Sequence, residues 1–533
     1  MHHKSLISCA RSWLSRSPVW SSFLVGLLGF AVALLASDCR GGGPAPRVHD
    51  EFSYLLAADT YAHGRLANPT PPLWEHFETF HVLQVPTYAS KYPPGQGMVI
   101  ALGQVLTGRP IVGVCLSYAI MCAALTWMLF AWVPPRWALW GGVFACLWLV
   151  GYQANLFSER AYWATSYWGG AVAACGGALL FGGVRRILVR PRVLSSVLTA
   201  VGLGILANSR PAEGLYAAIV PCAVLVAWLA SSWRASLRLR ICSAGLPVAA
   251  VLLAVGLLMA YYNYRVTGTP WKLPHMAYQE LYGRRPMFVF QPPQPVHQYR
   301  NEIIHDFFVN TETVRVTSIR AWLANCHRGF ASLSAFYVPF YLIPVLLLLP
   351  WAIHDRWSLL ALGSAVLVVL GLAGQTDQLP HYAAPAVGPL LILYTLSARR
   401  LWVLHTGRAR TGVGMVRIVF VCAATSVLLS AATSLATRQT HLKDWSERRQ
   451  ALIEELATRG GRHLVLVKYG LKHSPHNEWV YNGADIDGSP VVFARSLGPD
   501  ADEQLRACFA SRKAWDLEVD NDDGPFNLRP LSN

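Results

Sequence analysis

The chain reads as a mainly α-helical, polytopic membrane bundle with a structured first outer loop and a small C-terminal α/β outer domain. Three observations predict this. Hydrophobic residues fill 53% of 533 positions, only 14% are charged and mean hydropathy is +0.34, more apolar surface than one water-soluble core can hide. Apolar runs of span length recur through residues 1–436. From 437 to 533 charges become frequent and short β-type runs replace them.

The first run, 20–36, reads as a retained span, because no small-residue cleavage pattern follows it and Asp38-Cys39-Arg40-Gly41 is a poor processing site. Lys4, Arg11 and Arg16 ahead of it place the N-terminus in the cytoplasm. Further runs at 110–132, 137–153, 168–184, 194–209, 212–230, 241–262, 336–352, 357–373, 382–398 and 416–436 bring the expected total to about eleven spans. Three arginine clusters each follow such a run: Arg185, Arg186, Arg190 and Arg192; Arg234, Arg238 and Arg240; Arg399, Arg400, Arg408 and Arg410. The net charge of +16 is therefore a signature of cytoplasmic loops and not of a nucleic-acid surface.

The stretch 95–107 is apolar but, at 1.5 Å per residue, reaches only about 20 Å against a hydrocarbon core of about 30 Å. If it crossed, all three arginine clusters would move outside, so it is expected to lie at the interface. The first outer loop, 37–109, then carries two surface helices, 51–63 and 96–107, and a second outer loop, 264–335, shares the same face with the tail. In that tail a helix at 445–456 and β-type runs at 463–469 and 490–497 flank a turn-rich stretch, 482–488. Asp485 and Asp487 there suit a cation or an exposed turn.

The chain has 11 cysteines; Cys115, Cys122, Cys146, Cys175 and Cys422 fall inside apolar runs and read as packing residues. Cys39, Cys326 and Cys508 fall outside, where a disulfide is chemically allowed, and spacing pairs none of them. No fixed-period repeat, low-complexity tract, Walker, Rossmann or zincin motif occurs.

His49, Asp50 and Glu51 follow the first span and a Gly-Gly-Gly-Pro loop, at the outer membrane surface. Carboxylates beside a bilayer cost desolvation energy unless something pairs or uses them. Asp50 suits two roles, a general base or the cap of a helix starting at Glu51. Arg210, at an outer span end, suits a phosphate through its bidentate fork or an ion pair with Glu213 one turn on. Arg160, beside Glu159, and Lys91 are further phosphate candidates. Tyr162, Trp163, Tyr167 and Trp168 suit stacking on a sugar or prenyl chain, or an aromatic belt at the headgroups. Glu75, Glu78 and His81, with His76 nearby, suit a divalent metal or, with Trp74, Phe77 and Phe80, a docking face; no metal site is assigned. His275 and His381 join Tyr92 and His49 as candidates to line one substrate cavity.

The order of one span, an Asp-Glu pair opening a helical outer loop, then Tyr92-Pro93-Pro94-Gly95-Gln96-Gly97 before the next span resembles the GT-C class of membrane glycosyltransferases, which includes protein O-mannosyltransferases and aminoarabinose transferases. Over nearly the whole chain, segments such as Asn68-Pro69-Thr70, Pro86-Thr87-Tyr88, Ser166-Tyr167-Trp168-Gly169-Gly170, Asn208-Ser209-Arg210-Pro211 and Glu478-Trp479-Val480-Tyr481-Asn482 are similar to a bacterial group of largely uncharacterised GT-C-like proteins. The resemblance implies a multi-pass enzyme of the cytoplasmic membrane with its active face and C-terminus outside. It implies transfer of a sugar from a polyprenyl-phosphate donor to a glycan, lipid or protein acceptor. Asp50 is then the base, with Glu51 the second choice, and Arg210 binds the donor phosphate. The other reading is a non-catalytic member of the fold that binds or exports prenyl-linked glycans. A transporter fits less well, because the spans carry few ionisable residues.

Overall fold

The structure, a computed structural model, describes residues 17–37, 43–150, 162–231, 234–312, 316–407, 409–437, 444–520 and 526–531. Among these residues seven helices are long and apolar enough to cross a membrane: Pro18–Ala36, Pro110–Trp132, Ala171–Val189, Pro211–Ala230, Leu237–Thr267, Arg356–Ala373 and Thr411–Ala432. The protein is an integral membrane protein. Each of these helices coincides with an expected run. The other four expected runs form shorter or broken helices. Pro135–Trp148, Val193–Ala207 and Val387–Trp402 have 14, 15 and 16 residues. The run at 336–352 is interrupted by Pro339, Pro344 and Pro350, each of which removes a backbone donor. There Ile319–Tyr337 and Phe340–Leu346 meet at 76°, and the pair makes an eighth candidate span if taken as one.

The stretch expected at the interface is the helix Pro94–Thr107, which starts two residues earlier than its apolar pattern because Pro94 suits the first helical position. Met98, Leu102, Val105 and Leu106 are exposed on it, the apolar row an interfacial helix presents to lipid. It crosses Pro110–Trp132 backbone to backbone: a Cβ on Gly103 would stand 2.0 Å from the Gly113 nitrogen. Only glycine permits that approach.

In the first outer loop the helix His49–Ala62 supports a short antiparallel hairpin, β1 (Val82–Leu83) with β2 (Ala89–Ser90). The Ser53 hydroxyl clamps it, donating to the His81 carbonyl at 2.6 Å and meeting the Ser90 hydroxyl at 2.7 Å. That places Lys91 and Tyr92, the next two residues, over the first turns of the helix.

The C-terminal part holds a four-stranded sheet in the order β4-β3-β5-β6, with β3 (His463–Tyr469), β4 (Val491–Arg495), β5 (Lys513–Val519) and β6 (Asn527–Pro530). Strand β3 runs parallel to both β4 and β5, and β6 is antiparallel to β5. Central β3 buries Leu464, Val465, Leu466 and Val467 in succession, as a strand covered on both faces does. Strand β5, which is not among the expected runs, carries the period-2 signal of a half-buried strand, Trp515, Leu517 and Val519 alternating with Asp516 and Glu518. The expected turn at 482–488 is formed, with the Gly488 N–H donating to Asp485 Oδ1 at 2.9 Å. Phe52, Leu56, Phe77 and Val82 of the first outer loop share one apolar core with this sheet.

Candidate functional site

The first turn of His49–Ala62 sends three side chains in three directions. His49 is buried among rings, stacked on Phe80 at 4.3 Å with its Nε2–H donating to the Pro475 carbonyl at 3.0 Å. Burial, with the neighbouring His476, pushes its imidazole down to about 4, so it is neutral at physiological pH. It is a packing residue between loop and tail, not a member of the charged cluster. Glu51 is also buried. It accepts the Arg47 N–H at 2.7 Å and the Val48 N–H at 3.4 Å, capping the helix, and the Tyr167 N–H at 3.0 Å. Burial pushes its carboxyl upward against those three donors. The helix begins at His49 with Val48 at its N-cap, and Glu51, the third helical residue, takes the N-cap backbone N–H, so Asp50 is released from a capping role.

Asp50 accepts a short hydrogen bond from the Tyr92 hydroxyl. Tyr92 stacks on Tyr54 at 4.4 Å, and burial followed by the Asp50 charge holds its phenol well above the usual range, hence protonated. Lys91 is buried, with Nζ 4.9 Å from the centre of the Tyr278 ring and 5.2 Å from that of Tyr92. Among the described residues its ammonium forms no ion pair and no hydrogen bond. Burial lowers its proton affinity, and the fields of Asp50, Glu312 and Asp377 oppose that. Arg210 caps Pro211–Ala230, with its guanidinium 4.5 Å over the Tyr382 ring. It forms no ion pair with Glu213 or any other described residue. Tyr54 and Tyr382 each lie in the fields of both Asp50 and Arg210. Both cations, with burial first, push His275 down to about 3. The Gly95 N–H donates to the Asn208 carbonyl at 2.8 Å, which ties the segment carrying Lys91 and Tyr92 to the one carrying Arg210. A Cβ on Gly95 would stand 2.7 Å from that oxygen. Two cations in no ion pair among the described residues, in the fields of Asp50, Glu312, Asp377 and Glu213, can hold an anion next to a carboxylate able to take a proton.

No family model matches the chain, and no curated protein sequence does. Solved structures do. The aminoarabinose transferase ArnT from Cupriavidus metallidurans, in its apo state, is 14% identical with a TM-score of 0.52, over 93% of this chain and 92% of that one. The same enzyme bound to undecaprenyl phosphate is 13% identical with a TM-score of 0.51 over the same shares. The apo oligosaccharyltransferase of Archaeoglobus fulgidus is 9% identical with a TM-score of 0.50, over 93% of this chain and 69% of that one. The chain has the GT-C fold.

Within the GT-C fold the other expected residues take varied places. Arg160 and Cys39 lie outside the described residues. Tyr162 and Trp163 are buried in the helical core against Phe336, and so are neither a headgroup belt nor open to a sugar. Tyr162 meets His381 through its hydroxyl, 3.0 Å from the backbone N–H and 3.1 Å from Nδ1. Trp168 lies 4.7 Å from the His381 ring. Tyr167 is buried and its carbonyl accepts from Gln96 at 3.1 Å. Glu75, His76 and Glu78 point to different partners, Arg300 at 3.3 Å, the Arg495 carbonyl at 2.7 Å and the Tyr282 hydroxyl at 2.8 Å. His81 sits beside His49, 5.5 Å between rings. Among the described residues no three ligating side chains converge. Sequence reasoning missed Tyr54, Tyr278, Tyr382 and Glu312. Only Tyr54, one helical turn after Asp50, carried a signal for its place.

Proposed function

We infer that the chain is a membrane glycosyltransferase that moves a sugar from a polyprenyl-phosphate donor to an acceptor on the outer side of the cytoplasmic membrane. The observation that carries this is the convergence of Lys91 and Arg210, neither in an ion pair among the described residues, with Asp50 at the outer ends of the helices. ArnT, whose fold the chain shares, has been solved with undecaprenyl phosphate bound, which supports a prenyl phosphate as the anion. Asp50 takes the proton of the acceptor hydroxyl as its oxygen attacks the anomeric carbon. The bond from that carbon to the phosphate oxygen breaks, and its electron pair leaves on the phosphate. Lys91 and Arg210 hold the negative charge that develops there, so no acid is needed for the leaving group. Tyr92 orients the Asp50 carboxylate. The arginine clusters then face the cytoplasm, with the N-terminus, and the C-terminal sheet lies outside.

The test is transfer of radiolabel from membrane-extracted prenyl-phosphate sugars to endogenous acceptors, comparing wild type with Asp50→Asn at matched abundance. The variant is expected to lose about 10²–10⁴-fold in rate while still binding undecaprenyl phosphate. Equal transfer by both would remove Asp50 from the chemistry. Donor binding by both, with transfer by neither, is what a non-catalytic prenyl-glycan binder would give.

A further inference from the structure

The geometry points to a second ligand site on the outer surface, one aromatic layer from Lys91, that holds a saccharide ring of the acceptor. A cavity of about 140 Å³ lies where the turn Trp74–Phe77 of the first outer loop meets the second outer loop. Trp74, Glu78, Tyr282, Gln298, Tyr299 and Arg300 line it.

Glu78 is the residue that asks for a ligand. It is 5% exposed. One carboxylate oxygen accepts the Tyr282 hydroxyl at 2.8 Å; the other has only a long contact, 3.4 Å, from the Asn301 amide. Among the described residues no cation pairs with this carboxylate, and Arg495 donates to the Glu78 backbone carbonyl instead. An ionised carboxylate offers about four acceptor positions, so acceptor capacity remains at the cavity wall. Hydroxyls on adjacent carbons of a sugar ring are donors spaced for it.

The other walls match the rest of such a ring. Trp74 and Tyr299 are half-buried and offer flat apolar faces to its C–H surface. Gln298 is exposed and supplies an amide donor and acceptor. Arg300 lies 4.7 Å over Trp74 and pairs with Glu75 at 3.3 Å, both surface contacts that a ligand can replace. The cavity is joined to the charged cluster through rings. Tyr282 packs on Tyr278 at 4.9 Å, and Lys91 sits over the far ring at 4.9 Å. Calling the ligand an acceptor rests on the transferase reading; saccharide binding at this place does not.

Saturation-transfer NMR on the full-length protein in detergent tests it, using methyl glycosides of glucose, mannose, arabinose and N-acetylglucosamine as probes, with short peptides alongside. At least one glycoside is expected to receive saturation from wild type, about three- to tenfold less from Trp74→Ala, and less again from Glu78→Gln. Gln298→Ala, at an exposed position, keeps the test open if either of those variants fails to fold. Arg210→Ala, which removes donor-phosphate binding in the transferase reading, is expected to keep the saccharide signal, so the two readings fail separately. The site is refuted if no glycoside gives a signal, if the signals survive in all three cavity variants, if Arg210→Ala abolishes them, or if peptides give the Trp74-dependent signal instead.

Discussion

The charged cluster around Asp50 and the seam between the C-terminal sheet and the first outer loop both bury cations, yet they partner them differently. In the seam Arg495 pairs with Glu478 at 2.6 Å, and Tyr469 adds a short hydrogen bond to the same carboxylate. Arg449 donates to the Trp479 and Tyr481 carbonyls at 2.9 and 2.6 Å, holding the segment that meets the loop. Asp59 accepts the Ala484 N–H at 2.7 Å across the same seam. In the cluster Lys91 and Arg210 form no ion pair among the described residues; rings lie against them, and Asp50, Glu312, Asp377 and Glu213 act on them only from a distance. Buried charges that find protein partners hold a fold in register; the cations left without an ion pair are those we propose a ligand pairs with. One helix turn serves both regions, with His49 facing the seam and Asp50 the cluster.

The comparison breaks hardest at Glu478. Burial raises the cost of its charge, but Arg495 and the surrounding donors hold its carboxyl below the usual range. Glu478→Gln leaves the Arg495 charge uncompensated and is expected to cost about 3–5 kcal/mol of stability. Thermal unfolding in detergent reads this, while binding of undecaprenyl phosphate by the remaining folded protein should hold. Glu478→Leu combined with Arg495→Met removes both charges and should recover most of the loss. Loss of phosphate binding with unchanged melting would reverse the assignment of the two regions.

Arg210→Ala is the counterpart in the cluster. With no direct ion pair to break, it should cost less stability than Glu478→Gln and reduce transfer about 10²–10³-fold. Lysine at 210 should restore only part of this, since a point charge lacks the planar fork. A large fall in melting temperature with transfer kept per folded molecule would make Arg210 a structural residue.

Much of this arrangement was legible in the chain. The long spans announce themselves by apolar runs, and Asp50, Lys91, Arg210 and His275 stand out as charged or titratable residues at span ends or in outer loops. The segment 336–352 reads as one span because apolar content alone does not weigh its three prolines. The division of labour between Asp50 and Glu51 was hidden for a sharper reason. A helix start displaced by two residues exchanges which carboxylate caps it, and boundaries are the weakest part of any pattern reading. Tyr278 and Tyr382 were out of reach because nothing in their local sequence says that distant loops fold them against Lys91 and Arg210. The same holds for the cavity at Glu78, whose walls come from two loops some 200 residues apart, as in the Tyr282–Glu78 bond spanning 204 positions.

A smaller effect sharpens the seam through pH. His49 titrates at about 4 when folded against about 6.5 when unfolded, so the unfolded chain binds more protons between these values. Stability therefore falls as pH drops through that window, by about 3 kcal/mol at its lower end. His49→Gln keeps a donor for the Pro475 carbonyl and should flatten the slope of melting temperature between those pH values. His81 and His476, whose imidazoles burial also holds down, supply the slope that remains. An unchanged slope would mean that His49 is hydrated and charged in the folded protein.

The finest test lies within the cluster, at Tyr92. Its ring packs between Tyr54 and Lys91, and its hydroxyl does one further thing, donating to Asp50. Phenylalanine keeps the packing and deletes the donor. If Asp50 acts as a base, its orientation matters at the moment of proton transfer and not while the donor lipid binds. Tyr92→Phe should then lower kcat about tenfold, the weight of one hydrogen bond to a charged group, with KM for the prenyl-phosphate sugar unchanged. A rise in KM with kcat intact would place the hydroxyl on the donor phosphate instead, beside Lys91 and Arg210, and Asp50 would need another group to aim it.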